Sequence, residues 1–359
     1  MRKANTECNA CLTGLTAQMR QMAGERDRTQ LNGRMLSLLG EVLFCRSGGV
    51  HRRVRHQGRE MLVTCAEIDG GELRLHDAYL ITPGRALPLG DYPLLERCVA
   101  AAATITETGP AGHRCVVPVL RHEEVQLLIE IERERPFVAE DMVLLEIMVG
   151  FFADHLALIE YAEVDTLTGL LNRKTFDEHL DRVLASASDD SGAAGADHPQ
   201  RRHARPEDAY NWLAVIDVDH FKKVNDSHGH LIGDEVLLLM SQLMQQSFRM
   251  DDQLFRFGGE EFVAVLQPTG ATEAREVLER FRRRIEAQDL PIVGQVTASI
   301  GFTRIDYFDN PIDLVDRADK ALYYAKDHGR NRVEGYEELH HAGLVGSGPV
   351  RKKSDVELF

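Results

Sequence analysis

Leu213-Ala214-Val215-Ile216 is an unbroken apolar run that ends in Asp217-Val218-Asp219. Further on, a second run, Leu254 to Phe257, reaches Gly258-Gly259-Glu260-Glu261 before a third begins. A strand with no polar residue on either face has to be covered on both sides. The chain must therefore build a layered domain of sheet and helices around Leu213 to Ile216, and that sheet puts acidic groups at its mouth. The flanking pattern agrees: strand Trp212 to Asp217, helix Ile232 to Phe248, strands Leu254 to Phe257 and Glu261 to Leu266, helix Thr272 to Ala287, strand Gln295 to Ile300, helix Pro311 to about Asp327, and a last strand near Val333.

One such domain does not use up 359 residues; at roughly 100–200 residues each, two cores are expected. Hydrophobic residues at 43% and charged residues at 28% fit a soluble globular protein. The most apolar stretch, Met142 to Ala162, is broken by Glu146, Asp154 and His155, so no membrane span is expected. The first residues lack the apolar core of a secretory leader, which points to the cytoplasm. Six cysteines are too sparse for a disulfide framework, and Cys8-x-x-Cys11 has no second pair at zinc spacing. The net charge of −15 argues against a nucleic-acid-coating protein, while leaving room for a local basic pocket.

The N-terminal half reads as an amphipathic helix, Thr29 to Cys45, followed by strands at Met61 to Cys65, Leu73 to Leu75, Cys115 to Leu120 and Val125 to Ile131. Arg46, His51, Arg52, Arg53, Arg55, His56 and Arg59 form a basic run, read as a solvated hairpin or as the seat of an anionic ligand. From Glu140 to Glu163 two heptad seams run side by side. One passes through Leu144, Met148, Phe151, His155, Leu158 and Ala162; the other passes through Leu145, Val149, Phe152, Leu156 and Ile159. Two adjacent apolar stripes exceed what one small sheet covers, so the second is expected to meet a partner helix; a single broad core face is the plainer alternative.

The chemistry gathers in the C-terminal half. A strand-end Asp217 could merely cap the next helix. The hairpin changes that reading, because Gly258-Gly259 permits positive φ and close backbone approach by a phosphate. Adjacent Glu260 and Glu261 repel unless a cation lies between them. With Asp217 they suggest a Mg²⁺ (or Mn²⁺) site that keeps positions for phosphate oxygens. Lys326 and Arg330 stand four apart near a helix end, with Gly329 at a helix-terminating position, and are expected on one face as a cationic pair rather than as two solvated charges.

This ordered set resembles the GGDEF domain, the diguanylate cyclase module, in its GGEEF form (Gly258-Gly259-Glu260-Glu261-Phe262). The likeness spans about Asp165 to Gly335. It starts at Asp165-Thr166-Leu167-Thr168-Gly169-Leu170-Leu171-Asn172-Arg173 and continues through Asp217-Val218-Asp219-His220-Phe221-Lys222, Asn225-Asp226, Gly229-His230, Gly233-Asp234, Ser299-Ile300-Gly301 and Ala325 to Arg332. The resemblance implies that Asp217, the Val218 carbonyl and Glu260 hold the metal. Glu261 would assist the metal or the attacking hydroxyl, and Glu260, Glu261 and Lys222 would form the catalytic set. It also implies that Lys222, Lys326 and Arg330, with the Gly258-Gly259 backbone, receive the triphosphate, and that Asn225 and Asp234 read guanine. A carboxylate can accept both edge donors of guanine, which favours GTP over ATP.

The implied reaction condenses two GTP into cyclic di-GMP and two pyrophosphates. Each domain would hold one GTP, so a homodimer is implied. Arg249-Met250-Asp251-Asp252 matches the family's inhibitory product site, with Arg249 and Asp252 as its recognition pair; a surface ion pair is the plainer alternative. Residues 27 to 163 resemble a GAF sensory domain with an unknown ligand, on the strength of Cys115 to Leu120, Val125 to Ile131, and Pro136-Phe137-Val138-Ala139-Glu140-Asp141 opening a long helix.

The expected fold class is α+β. It comprises a tail or helix at 1–26, a GAF-like antiparallel sheet with flanking helices at 27–140, and a dimerising linker helix at 141–164. A GGDEF domain with a palm-like central sheet surrounded by helices follows at 165–338, interrupted by a low-complexity loop at 186–208, and a tail occupies 339–359.

Overall fold

The computed structural model describes residues 16–56, 59–76, 86–110, 112–121, 123–192, 209–306 and 309–346. The chain divides into two compact units, Met1–Ala162 and Glu163–Phe359. Cys8, Cys11, most of the 186–208 segment and the end of the C-terminal tail lie outside the described residues.

In the first unit, α1 (Arg28–Leu43) precedes β1 (Ser47–His56), β2 (Arg59–Asp69), β3 (Glu72–Leu75) and β4 (Ala86–Pro88). Then come α2 (Pro93–Ala101), β5 (Ile105–Gly109), β6 (Gly112–Arg121), β7 (Glu124–Arg133) and α3 (Ala139–Glu163). Asp27 caps α1 by accepting from the Gln30 N–H at 3.0 Å. The strands form one antiparallel sheet in the order β3-β2-β1-β7-β6-β5, with β4 on β2. Most of the basic run lies on β1, next to the middle of the sheet, with Arg46 just before it and Arg59 opening β2, and Arg53 pairs with Glu60 across the β1–β2 hairpin at 2.8 Å.

Alternation along the strands serves two cores. Val50, Cys65, Ala66, Val117, Ile129 and Ile131 meet α1 and α3, whereas Leu62, Val116, Val125 and Leu128 meet α2. The α3 seams differ from expectation. Leu145, Val149, Phe152, Leu156 and Ile159, with Met148 of the other seam, are buried in the unit's own core, and Leu144 and Phe151 are packed against it. The apolar residues left outward are Val143, Ile147, Leu158 and Tyr161. By length and composition alone α3 could cross a membrane. Its inner face, however, packs on the sheet, and His155 Nε2 lies 2.7 Å from the Glu25 carbonyl.

The second unit runs through β8 (Leu171–Asn172), α4 (Arg173–Gly192), β9 (Tyr210–Val218), α5 (Phe221–His228), α6 (His230–Ser247), β10 (Gln253–Gly258) and β11 (Glu261–Thr269). It continues with α7 (Ala271–Glu286), β12 (Asp289–Leu290), β13 (Gly294–Gln295), β14 (Ala298–Arg304), α8 (Pro311–Asp327), β15 (Val333–Gly335) and α9 (Tyr336–His341). The helix expected to end near Ala185 extends to Gly192, into the segment read as a loop, and α9 continues past the expected domain end at 338. The sheet order is β15-β14-β9-β11-β10-β8.

Central β9 explains why its sequence is apolar throughout. Trp212, Ala214, Ile216 and Val218 pack toward α5, α6 and α7, while Leu213 and Val215 pack with Phe176, Leu180, Leu314, Ala318 and Leu322 of α4 and α8. By parity Asp217 belongs to the α8 side. Gly301 of β14 makes that side possible. A Cβ there would lie 2.3 Å from the Ala318 carbonyl oxygen and 2.1 Å from the Leu322 nitrogen, so only glycine lets α8 rest directly on the strand.

Candidate active site

The site begins where β9 ends. Asp217 pairs in register with Glu261 at the start of β11, so the two carboxylates are cross-strand neighbours on one face. Gly258 also pairs with Glu261, which leaves Gly259 and Glu260 as the two-residue turn, with Gly259 in the left-handed region at φ 50°. The turn is thus Gly-Glu rather than Gly-Gly, and it places Glu260 at the hairpin tip. Asp217 does not cap α5: His220 holds that position, with no side-chain cap bond.

Asp217 is buried, and its Oδ2 lies 2.7 Å from Lys326 Nζ. Burial pushes its carboxyl up to about 6; Lys326 opposes that shift, and the nearby charges of Glu260 and Glu261 reinforce it. Asp217 therefore feels the charge of both glutamates. Among the described residues, however, no three His, Cys, Asp or Glu side chains are drawn together closely enough to hold a metal. Lys326 is the positive charge that Asp217 meets. A buried carboxylate that takes up an ammonium, beside two further carboxylates and a strand-end carbonyl at Val218, is a hard, anionic oxygen set of the kind a divalent cation requires.

Lys326 comes from the last turn of α8, but Arg330 does not share a helical face with it. The helix stops at Asp327, the Arg330 N–H donates to the Ala325 carbonyl at 3.0 Å, and Gly329, Arg330 and Asn331 all have positive φ. Arg330 and Lys222 are exposed. On the opposite flank, α5 and α6 pack tightly. A Cβ on Gly233 would stand 2.0 Å from Asn225 Oδ1, so glycine brings the Asn225 amide against the turn that carries Asp234.

Three features escaped the sequence reading. The Arg256 guanidinium donates to the Gly259 carbonyl through Nε and Nη2 at 3.1 and 2.9 Å. Its Nη1 reaches Asp165 Oδ1 at 2.9 Å, and that oxygen also accepts from the Thr168 N–H and hydroxyl. Asp219 is buried and spends its carboxylate on Thr297, Ser299 and Asn331. Asp252, for its part, accepts the backbone N–H groups of Arg249 at 2.8 Å and Gln267 at 3.0 Å, so it closes the turn before β10 rather than forming a surface ion pair. The Arg249 residue is exposed. Arg256 was legible as the cation two residues before Gly258; the roles of Asp219 and Asp252 had no comparable signal.

Residues 197–332 match the family model described as "Diguanylate cyclase, GGDEF domain". Diguanylate cyclase DgcP of Pseudomonas aeruginosa is 39% identical over 176 residues, covering 48% of this chain and 24% of that protein. Diguanylate cyclase A of Treponema denticola is 40% identical over 125 residues, covering 34% of each. The chain thus spans about a quarter to a third of the length of these relatives. A crystal structure of the GGDEF domain of DgcB from Caulobacter crescentus in complex with c-di-GMP shares 32% identity, with 49% of this chain and 96% of that chain covered, at a TM-score of 0.42. The match to the GGDEF domain family thus falls within the second unit of this chain.

Proposed function

We propose that the chain is a diguanylate cyclase that condenses two GTP into cyclic di-GMP. The observation that carries the reading is the register of Asp217 on Glu261, with Glu260 at the adjoining turn and Lys326 on the Asp217 carboxylate. In each half-reaction the 3′ oxygen of one GTP forms a bond to the α-phosphorus of the other. The bond to pyrophosphate breaks and the hydroxyl proton leaves; two rounds close the ring and release two pyrophosphates.

Asp217, the Val218 carbonyl, Glu260 and Glu261 would hold Mg²⁺ or Mn²⁺. When bound, the cation would polarise the phosphate and offset the charge that develops on the leaving group. Glu261 is positioned beside Asp217 to take part in removing the hydroxyl proton. Lys222, Lys326 and Arg330 neutralise the triphosphate, and the Gly258-Gly259 backbone lets it approach closely. Asn225 and Asp234 read guanine, the carboxylate accepting from the ring N–H and exocyclic amine.

Two GTP-loaded domains must face each other, so the active form is a homodimer. The outward stripe Val143, Ile147, Leu158 and Tyr161 supplies an apolar surface on which two α3 helices can meet. The first unit, with its sheet covered by helices on both faces, serves as a GAF-like sensor of an unknown ligand in a cytoplasmic protein. Product feedback acts at Arg249 and Asp252. The exposed arginine grips phosphate or stacks on guanine, and the aspartate keeps lone pairs beyond the two backbone bonds it accepts.

The deciding experiment incubates the full chain with GTP and Mg²⁺ and separates the products. Cyclic di-GMP and pyrophosphate in a 1:2 ratio are expected from the stoichiometry above, with none from Asp217→Ala or Glu260→Ala. Binding of GTP without turnover would instead mark the domain as a receptor.

A further inference from the structure

Two residues past Asp217, Asp219 makes four hydrogen bonds, three of them to its carboxylate. Its Oδ1 accepts from the Ser299 hydroxyl at 2.7 Å. Its Oδ2 accepts from the Thr297 hydroxyl at 2.7 Å and from the Asn331 backbone N–H at 3.0 Å. Its own N–H donates to the Thr297 carbonyl at 2.9 Å. The side chain is held within the protein at 6% exposure, so each lost bond would strand a buried group.

Asn331 is held from the other side as well. Its Oδ1 accepts from Arg282 Nη1 at 2.6 Å and its Nδ2 donates to Glu286 Oε1 at 2.8 Å, while Arg282 is itself fixed by Glu279 and Glu286 at 2.9 Å. The backbone between these anchors is strained. Arg330 and Asn331, neither of them glycine, sit at φ 60° and 47°, a left-handed region that is costly for an arginine and better tolerated by an asparagine. Strain of that kind persists only where surrounding bonds over-determine it, and here the bonds converge on Asn331 from Asp219 and Arg282.

We propose that Asp219, Asn331 and Arg282 form a positioning network that holds Arg330 in place to receive the nucleotide phosphates. The inference rests on the GTP reading given above for the neighbouring groups. One strand end thus anchors the phosphate limb twice: Asp217 holds the Lys326 side chain, and Asp219 holds the backbone next to Arg330. None of the three touches substrate. Each acts through the left-handed segment from Gly329 to Asn331.

The test measures dissociation constants of the full chain for GTP, GMP and inorganic tripolyphosphate by calorimetry. The proteins compared are the wild type, Asp219→Asn, Asn331→Gly, Arg330→Ala and the double variant Asp219→Asn/Arg330→Ala. Asparagine at 219 turns an amide donor toward donors, and glycine at 331 relieves the backbone strain while deleting the Arg282 clamp and keeping the N–H, so the two variants probe the network independently.

Asp219→Asn and Asn331→Gly are each expected to weaken tripolyphosphate and GTP by about tenfold while leaving GMP within about twofold, and the double variant is expected to weaken them no further than Arg330→Ala alone. Equal weakening of GMP and tripolyphosphate, additive losses in the double variant, or no loss in either single variant would overturn the proposal. Wild-type protein that binds tripolyphosphate but yields no cyclic di-GMP from GTP would sink the enzymatic reading and leave this inference standing. Failure to bind tripolyphosphate would sink the inference itself.

Discussion

Arg256 Nη1 lies 2.9 Å from Asp165 Oδ1, which ties the first turn of the second unit to the arginine that also holds the Gly259 carbonyl. Burial alone would raise the Asp165 carboxyl. The bonds from Thr168 and Arg256 outweigh it and hold the group below its ordinary value. Lysine cannot supply three nitrogens in a plane. Arg256→Lys is therefore expected to cost about 1–2 kcal/mol of stability and to lower kcat more than it raises KM, because the turn bearing Glu260 loses its brace. Denaturant melts and steady-state kinetics on one preparation check both; an unchanged kcat contradicts the link.

Asp217 gives a pH dependence with a definite sign. Its folded pKa of about 6 exceeds the ordinary 3.8, so the folded state binds the proton more tightly than the unfolded chain does. Ionisation therefore costs stability: the cost is absent below the ordinary value and fully present above about 6. A shift of this size corresponds to about 3 kcal/mol. Going from pH 4 to pH 8, wild-type stability relative to Asp217→Asn should fall by about that amount, read from urea unfolding at each pH. A difference that stays flat across the range contradicts the burial of this charge.

Lys326→Met removes the cation that opposes the shift at Asp217. The carboxyl should then titrate at higher pH than in the wild type, and the acid limb of the activity profile should move with it. NMR titration of the Asp217 carboxyl carbon reads the first effect directly, and a titration identical to wild type would mean that the 2.7 Å contact carries no weight.

Gly301→Ala probes the packing of α8. A methyl group there meets backbone atoms at 2.1 and 2.3 Å, so the helix must lift. Overpacking of this kind costs about 1–3 kcal/mol. Because Lys326 rides on the same helix, activity should fall as well, although residue 301 touches no substrate. A thermal melt matching wild type would show that the helix can shift freely.

Asp234→Asn should cut kcat/KM for GTP by about 10–100-fold, the loss of a charge-assisted bond pair, with a smaller effect on ATP. Competition assays with mixed nucleotides separate the two.

Much of the second unit could be read in the sequence because β9 is buried on both faces. A strand with that burden has no latitude in composition, and Leu213 to Val218 announces it. The hairpin was equally plain, since Gly259 has a backbone need that few residues meet. What remained hidden depends on distant partners. Nothing local says that Asp217 will meet a lysine from α8, or that Asp219, one step from the strand end, will bond one hydroxyl just before β14, another on it, and a backbone amide beyond α8. Arg330 was misplaced for a related reason: spacing of four residues implies a shared face only while the helix lasts, and Gly329 ends it. In the first unit α3, whose second seam is expected to meet a partner helix, instead buries most of both seams in the unit's own core. Its division between the sheet and the outside, with Val143 and Ile147 left outward, depends on how the sheet curves beneath it.

The contact at Gly301 also bears on how the helix that meets Asp217 can respond to change. At that point helix and strand meet main chain to main chain, with no side chain between them whose rotamers could absorb a displacement. A tilt of the strand there is therefore passed directly to the helix that carries Lys326.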